Sequence, residues 1–264
     1  MNHLLIIGCG NMGGAMLAGW LAAGEAPARF SVIDPLMVQA PEGVALYRKV
    51  EDAATSEHDA VLLGFKPQQL AVLGPELQGL TGAKTVCSLL AGITLAQLDE
   101  AFPKAAAHIR VMPNLAARIN KSPVILAERG LDPARRDTAF ALFDRLGSAV
   151  WLADEAQFDL VTALVGSGPG FVYRFIDALA GAAVDLGLDE ATAAALALAT
   201  VEGAAALAAT SEASPATLAD RVASPGGMTR EGLNVLDDGA ALRRLLAATL
   251  AATRDKGSVL SKGS

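Results

Sequence analysis

Residues 8–13 read Gly-Cys-Gly-Asn-Met-Gly, directly after the apolar run His3–Ile7 and at the start of Asn11–Ala23, which reads as a helix. No other feature of the chain restricts its fold as much. A G-x-G-x-x-G turn between strand and helix uses Gly8 for the tight turn. Gly10 lets the backbone approach a ligand, and Gly13 lets helix and strand pack closely. The N–H groups that open such a helix have no partner within it and attract an anion, typically the pyrophosphate of a dinucleotide. Gly8, Cys9, Gly10, Asn11, Met12 and Gly13 are therefore candidate cofactor-binding residues; the alternative is a glycine-rich turn without a ligand.

Further apolar runs at Phe30–Asp34, Ala60–Phe65, Lys84–Ser88, Ala107–Val111, Ser122–Ala127 and Ala149–Leu152 read as strands, with a weaker one at Gly43–Leu46. Helical patterns such as Gln68–Leu77, Leu95–Ala101 and Pro133–Leu146 separate them. Solidly apolar strands alternating with helices predict a parallel sheet covered on both faces. After Leu152 the β-branched runs stop. Ala/Leu-rich helical stretches follow at Glu155–Leu164, Phe171–Leu186, Asp189–Thr210, Pro215–Val222, Thr229–Leu236 and Ala240–Lys256. The reading is an α/β protein: a Rossmann-type doubly wound sheet at 1–152, followed by an all-α domain at 153–264. Asp189–Thr210 is apolar around nearly its whole circumference, so it must be covered on several sides. Association of subunits through this part would cover it; packing inside its own bundle is the alternative.

With 264 residues the chain is long enough to bury a core without metals or disulfides. Its formal charge of −7 leaves no basic face for nucleic acid. Cys9 and Cys87 are the only cysteines, and neither belongs to a metal-binding spacing, so no metal is expected. The first 24 residues carry no Lys, Arg, Asp or Glu, yet they lack the basic start of a secretory signal and are broken by Gly8, Gly10, Gly13 and Gly14. No targeting segment and no membrane span are expected, and the compartment expected is the cytoplasm.

Asp34 ends the second strand, where an acid commonly accepts hydrogen bonds from the adenosine ribose. Its charge repels a 2′-phosphate and no Arg follows at once, which favours NADH over NADPH; alternatively Asp34 only starts the Asp34-Pro35 turn. Lys66, after the fourth strand, stands at the carboxyl edge of the sheet, where ligands bind. A carbonyl reductase must protonate an alkoxide. Beyond Leu152 the only lysines are Lys256 and Lys262, and the only tyrosine is Tyr173. Reduction of an imine fits this composition better, because an iminium accepts hydride directly. Two glycine-bearing segments, 165–170 and 223–229, each precede a helix and are candidate seats for a substrate carboxylate; read blandly, both are helix caps.

The segment Ser224-Pro225-Gly226-Gly227-Met228-Thr229, followed by Gly232-Leu233, resembles the signature of the pyrroline-5-carboxylate reductases. The resemblance extends over the chain through Gly8–Gly13, Phe65-Lys66-Pro67-Gln68, Ser88–Thr94, Arg110-Val111-Met112-Pro113-Asn114 and Gly166-Ser167-Gly168-Pro169. It implies a homodimer, or an assembly of dimers, that reduces L-1-pyrroline-5-carboxylate, a cyclic imino acid, to L-proline with NADPH or NADH, the last step of proline biosynthesis. It implies that Ser224, Gly226, Gly227, Met228 and Thr229 hold the substrate. Thr229 would stand nearest the reacting nitrogen, and Glu212 would favour the iminium. Phe65, Lys66, Pro67, Ala91, Gly92 and Asn114 would lie toward the nicotinamide. The chain departs from the family pattern at Leu115-Ala116, where Thr-Pro is usual, at Val165 and Gly170, and at Ile33-Asp34-Pro35. Two other readings compete: a two-domain carbonyl reductase of the β-hydroxyacid dehydrogenase type, and a nucleotide-binding regulator without turnover.

Overall fold

A computed structural model describes residues 1–262. The chain forms two compact units, Met1–Ser167 joined by the chain from Thr253 onward, and Gly168–Ala252.

The first unit is built on eight strands: β1 (Leu4–Ile7), β2 (Phe30–Ile33), β3 (Ala45–Tyr47), β4 (Ala60–Leu63), β5 (Thr85–Ser88), β6 (Ala107–Met112), β7 (Ser122–Arg129) and β8 (Gly147–Trp151). They form one sheet in the order β3-β2-β1-β4-β5-β6-β7-β8. Its helices are α1 (Asn11–Ala22), α2 (Leu70–Glu76), α3 (Gln78–Thr81), α4 (Leu95–Ala101), α5 (Pro133–Asp144) and α6 (Phe158–Val165). Every residue of β1, β2, β4 and β5 is buried, as strands covered on both faces must be.

Alternation along β1 distributes the core between the two faces. Leu4 and Ile6 join Met16 and Trp20 of α1 and Phe143 of α5 on one side. Leu5 and Ile7 join Leu77, Leu80 of α3 and Leu98 of α4 on the other. Trp20 stacks on Phe30 at 5.3 Å between ring centroids and donates from Nε1 to the Leu142 carbonyl at 2.8 Å. The indole thus contributes apolar area while its polar hydrogen is satisfied.

The sheet is not wholly parallel. β6 and β7 pair antiparallel, with Val111 opposite Leu126, while all other pairs are parallel. Only residues 113–121 connect them, and these hold a 3₁₀ turn at Leu115–Ile119. A parallel crossover needs a dozen or more residues, so the short connection reverses the chain.

The second unit contains α7 (Gly168–Asp185), α8 (Glu190–Thr210), α9 (Pro215–Arg221) and α10 (Met228–Asp237). The last helix, α11, spans Ala241–Lys262. Caps fix the starts of two of these. Asp189 accepts from the Thr192 N–H at 3.0 Å and Ser214 from the Thr217 N–H at 3.2 Å. The segment 165–170, expected to precede a helix that starts at Phe171, is itself mostly helical: α7 begins at Gly168, leaving Gly166 and Ser167 as the joint after α6. Pro169 has no N–H to lose in a first turn, so the helix starts there at no cost.

Candidate active site

The turn after β1 is held by close backbone packing. Gly8 has φ +85° and donates to the Ile33 carbonyl at 2.9 Å. A Cβ on Gly8 would lie 2.9 Å from the backbone of Gly64 and Phe65, and one on Gly13 would lie 2.7 Å from the Gly8 carbonyl oxygen. Gly64, just past β4, is equally constrained, since a Cβ there would lie 2.3 Å from that same oxygen. Gly10 is different. It caps α1 without a side-chain hydrogen bond, and a Cβ on it would meet nothing within 4 Å. The first N–H groups of α1 have no acceptor within the helix, and the open space at Gly10 leaves room there for a dinucleotide pyrophosphate.

Asp34 lies just beyond β2 and serves two backbone segments. Its Oδ2 accepts from the Cys9 N–H at 2.8 Å; its Oδ1 accepts from the N–H groups of Leu36 at 2.8 Å and Met37 at 3.1 Å. The carboxylate thus anchors its own turn, as the turn-starting reading of Asp34 expects, and also fastens that turn to the glycine loop. Burial and the neighbouring Asp34 charge push the Cys9 thiol up to about 11, leaving a neutral, unreactive sulfur in the loop.

A cavity of about 630 Å³ opens beside this turn, lined among others by Gly8, Gly10, Asp34, Arg48, Phe65 and Lys66. Arg48, at the end of β3, donates to the carbonyls of Asp34 at 3.2 Å and Val38 at 2.9 Å, and to that of Met37. Lys49 lines the same cavity. The absence of an adjacent Arg after Asp34 therefore does not leave its charge alone, because the fold brings two cations from the segment just after β3 to the same rim. A larger hollow of about 790 Å³ is lined by Pro67, Leu70 and Ile93 together with Gln78, Gln97 and one charged side chain, Glu100.

The other residues expected near the nicotinamide are distributed differently. Pro67 lines the larger hollow. Ala91 is exposed, and Gly92 takes φ +79° in the turn before α4. Asn114 is buried and engaged at both ends of its amide: its Oδ1 accepts from the Ala116 N–H at 2.9 Å and its Nδ2 donates to the Val165 carbonyl at 3.1 Å. Its side chain braces the turn that replaces the missing helix between β6 and β7.

In the second unit, residues 224–227 form a tight turn. The Gly227 N–H donates to the Ser224 carbonyl at 2.9 Å, Pro225 takes the second position, and Gly226 has φ +69°. Pro second and a left-handed glycine third is the pattern of a type II turn. Gly227 caps α10 without a side-chain bond. A Cβ there would lie 2.6 Å from Ser224 Oγ, so only glycine allows the hydroxyl to sit against the helix start. Met228, 94% exposed, and Thr229 follow as the first residues of α10. Glu212 is exposed in the turn between α8 and α9.

A family model described as pyrroline-5-carboxylate reductase dimerisation matches residues 155–260, and one described as NADP oxidoreductase, coenzyme F420-dependent, matches residues 3–92. Pyrroline-5-carboxylate reductase 2 of Bacillus subtilis is 34% identical over 246 residues, covering 90% of this chain and 88% of the relative. This chain belongs to the pyrroline-5-carboxylate reductase family. The solved structure of the reductase from Coxiella burnetii superposes with a TM-score of 0.91 at 30% identity over 98% of both chains. That of the Plasmodium falciparum reductase, which has NADP bound, has the same fold, with a TM-score of 0.82 at 23% identity over 98% of both chains. The resemblance carried by Ser224–Thr229 and the Rossmann-type assignment are thus both upheld. Among this reductase's described residues no cluster suited to a metal ion is present.

Proposed function

We propose that this chain catalyses the reduction of L-1-pyrroline-5-carboxylate to L-proline with NADPH or NADH. The observation that carries the reading is the Ser224–Thr229 turn. It offers two hydroxyls and the open N-terminus of a ten-residue helix in one short segment, in a chain that pyrroline-5-carboxylate reductases match along nearly its whole length. Helix N-terminal N–H groups and hydroxyls suit a carboxylate, while the ring nitrogen needs an acceptor or a nearby anion.

The cofactor would be held by Gly8, Cys9, Gly10, Asn11, Met12 and Gly13, with its adenosine toward Asp34 and its nicotinamide toward Phe65, Lys66, Ala91 and Gly92. It supplies the hydride. The remaining work belongs to the chain. Ser224, Gly226, Gly227 and Met228 hold the substrate carboxylate, the Thr229 hydroxyl hydrogen-bonds at the ring nitrogen, and the Glu212 carboxylate favours the protonated imine. Catalysis then comes mainly from orientation and charge placement. No strong proton donor is required, which agrees with the scarcity of Lys, His and Tyr beyond Leu152 and disfavours the carbonyl-reducing alternative.

In this reading residues 1–152 bind the dinucleotide and residues 153–264 bind substrate and form a cytoplasmic homodimer. An assay at 340 nm with each cofactor tests the activity. Oxidation dependent on pyrroline-5-carboxylate supports it; tight cofactor binding without turnover would make the chain a regulator instead.

A further inference from the structure

The turn that carries the proposed substrate site has little to hold it. Two consecutive glycines give it the greatest backbone freedom a chain can have, and no side chain caps α10. One residue outside the signature compensates. Arg230, in the first turn of α10, donates from Nη2 to Asp220 Oδ1 of α9 at 2.8 Å and to the Ala223 carbonyl at 3.3 Å. Its own N–H donates to the Gly227 carbonyl at 3.1 Å. Ala223, just before the turn, and Gly227, its last residue, are therefore tied to a single side chain and its backbone. Ala223 is 3% exposed, so its carbonyl gains from this partner what a solvated carbonyl would obtain from water.

We propose that Arg230 is a positioning residue for the substrate carboxylate, and that the Arg230–Asp220 pair is the latch that keeps the Ser224–Thr229 turn in its binding form. The proposal rests on the functional reading above. An exposed ion pair alone contributes little. Here, however, Asp220 fixes the guanidinium plane so that the same nitrogen also reaches the Ala223 carbonyl, and a planar fork suits this double engagement better than an ammonium.

The sign of the Asp220 effect separates a latch from a simple attracting charge. If Arg230 merely drew the substrate carboxylate, Asp220→Ala would remove a competing anion and lower the substrate KM. If Arg230 acts as a latch, Asp220→Ala frees it and raises KM, as Arg230→Ala does. Expected for Arg230→Ala is a rise of about tenfold in the KM for pyrroline-5-carboxylate and in the inhibition constant of L-proline, the equivalent of about 1.4 kcal/mol. The expected change in kcat is less than about threefold, with the cofactor KM unchanged. Arg230→Lys should recover part of the loss, and the Arg230→Ala/Asp220→Ala double variant should be no worse than either single one.

Amide hydrogen exchange of residues 224–230 without substrate gives a readout independent of turnover. It should quicken in both single variants while exchange in the first unit stays as in the wild type. Unchanged exchange and an unchanged substrate KM in Arg230→Ala would overturn the latch; so would a KM lowered by Asp220→Ala. Should the wild-type protein fail to turn over pyrroline-5-carboxylate, the functional reading fails, and the exchange result still decides whether Arg230 holds the turn.

Discussion

Thr229 is the residue on which the proposed chemistry most directly depends. Losing one hydrogen bond to the reacting nitrogen costs about 1–3 kcal/mol, so Thr229→Ala should lower kcat/KM roughly ten- to a hundredfold; an unchanged value would remove the hydroxyl from the mechanism. Asp34 carries a second prediction. Asp34→Ser removes the repulsion toward a 2′-phosphate while Arg48 and Lys49 remain on the rim, so the ratio of kcat/KM with NADPH to that with NADH should rise. It also sacrifices some of the three backbone N–H bonds that the carboxylate accepts, so the thermal midpoint should fall. A third concerns Cys9, whose folded-state value is pushed from 9.0 up to about 11. A raised value means stability present below the unfolded value and lost as pH climbs through the folded one, so the thermal midpoint should decline between about pH 9 and 11. Cys87, also raised by complete burial, acts in the same direction, and a Cys9→Ala/Cys87→Ala variant should flatten the decline. Asp34 and the signature glycines were legible because spacing alone reveals them. Arg48 and Arg230 were not: each matters through a partner brought close by the fold, and an arginine in sequence looks like any solvated cation.

At the level of elements, Gly10 and Gly64, which stand beside the same turn, answer differently to the same substitution. Gly10→Ala adds a methyl group to open space and should leave the thermal midpoint near wild type while weakening cofactor binding. Gly64→Ala forces a Cβ to 2.3 Å from the Gly8 carbonyl and should destabilise the first unit by about 1–3 kcal/mol or more. Equal losses of stability in both would contradict the view that Gly10 faces a ligand. Gly64 escaped the sequence reading because Val-Leu-Leu-Gly-Phe reads as one strand; its constraint comes from β1, distant in sequence. Strand positions were otherwise readable from solid apolar runs, since burial on both faces leaves no other composition possible. Direction was read as parallel, which holds for every pair except β6–β7. The antiparallel β6–β7 pair was nevertheless encoded in a connection, 113–121, too short for a parallel crossover. The helical character of Gly168-Pro169-Gly170 was hidden for the opposite reason, because glycine and proline read as a break wherever their position within a helix is unknown.

For the whole molecule, α8 is a long apolar helix that the single chain leaves largely uncovered. In this 21-residue helix only Ala193 and Ala197 are buried. Leu196 and Leu198, two positions apart and so about 200° apart around the axis, are each 55% exposed. The single chain therefore leaves α8 uncovered on more than one side, and α7 adds Tyr173 at 67% and Phe175 at 50% exposure. Patches of this kind mark interfaces in soluble proteins, and an interface drawing on two long helices would fall in the larger, apolar class typical of obligate dimers. By length and composition α8 is also long and apolar enough to cross a membrane, so the same surface admits two kinds of cover, and the experiment must distinguish them. If subunits cover it, the protein partitions into the aqueous phase without detergent and sediments at twice the chain mass or a multiple of that. Leu196→Glu/Leu198→Glu, placing charge on opposite sides of α8, should then shift it toward monomer. Sedimentation of that variant at the wild-type rate, or partition of the wild type into the detergent phase, would mean that something other than a second copy covers α8.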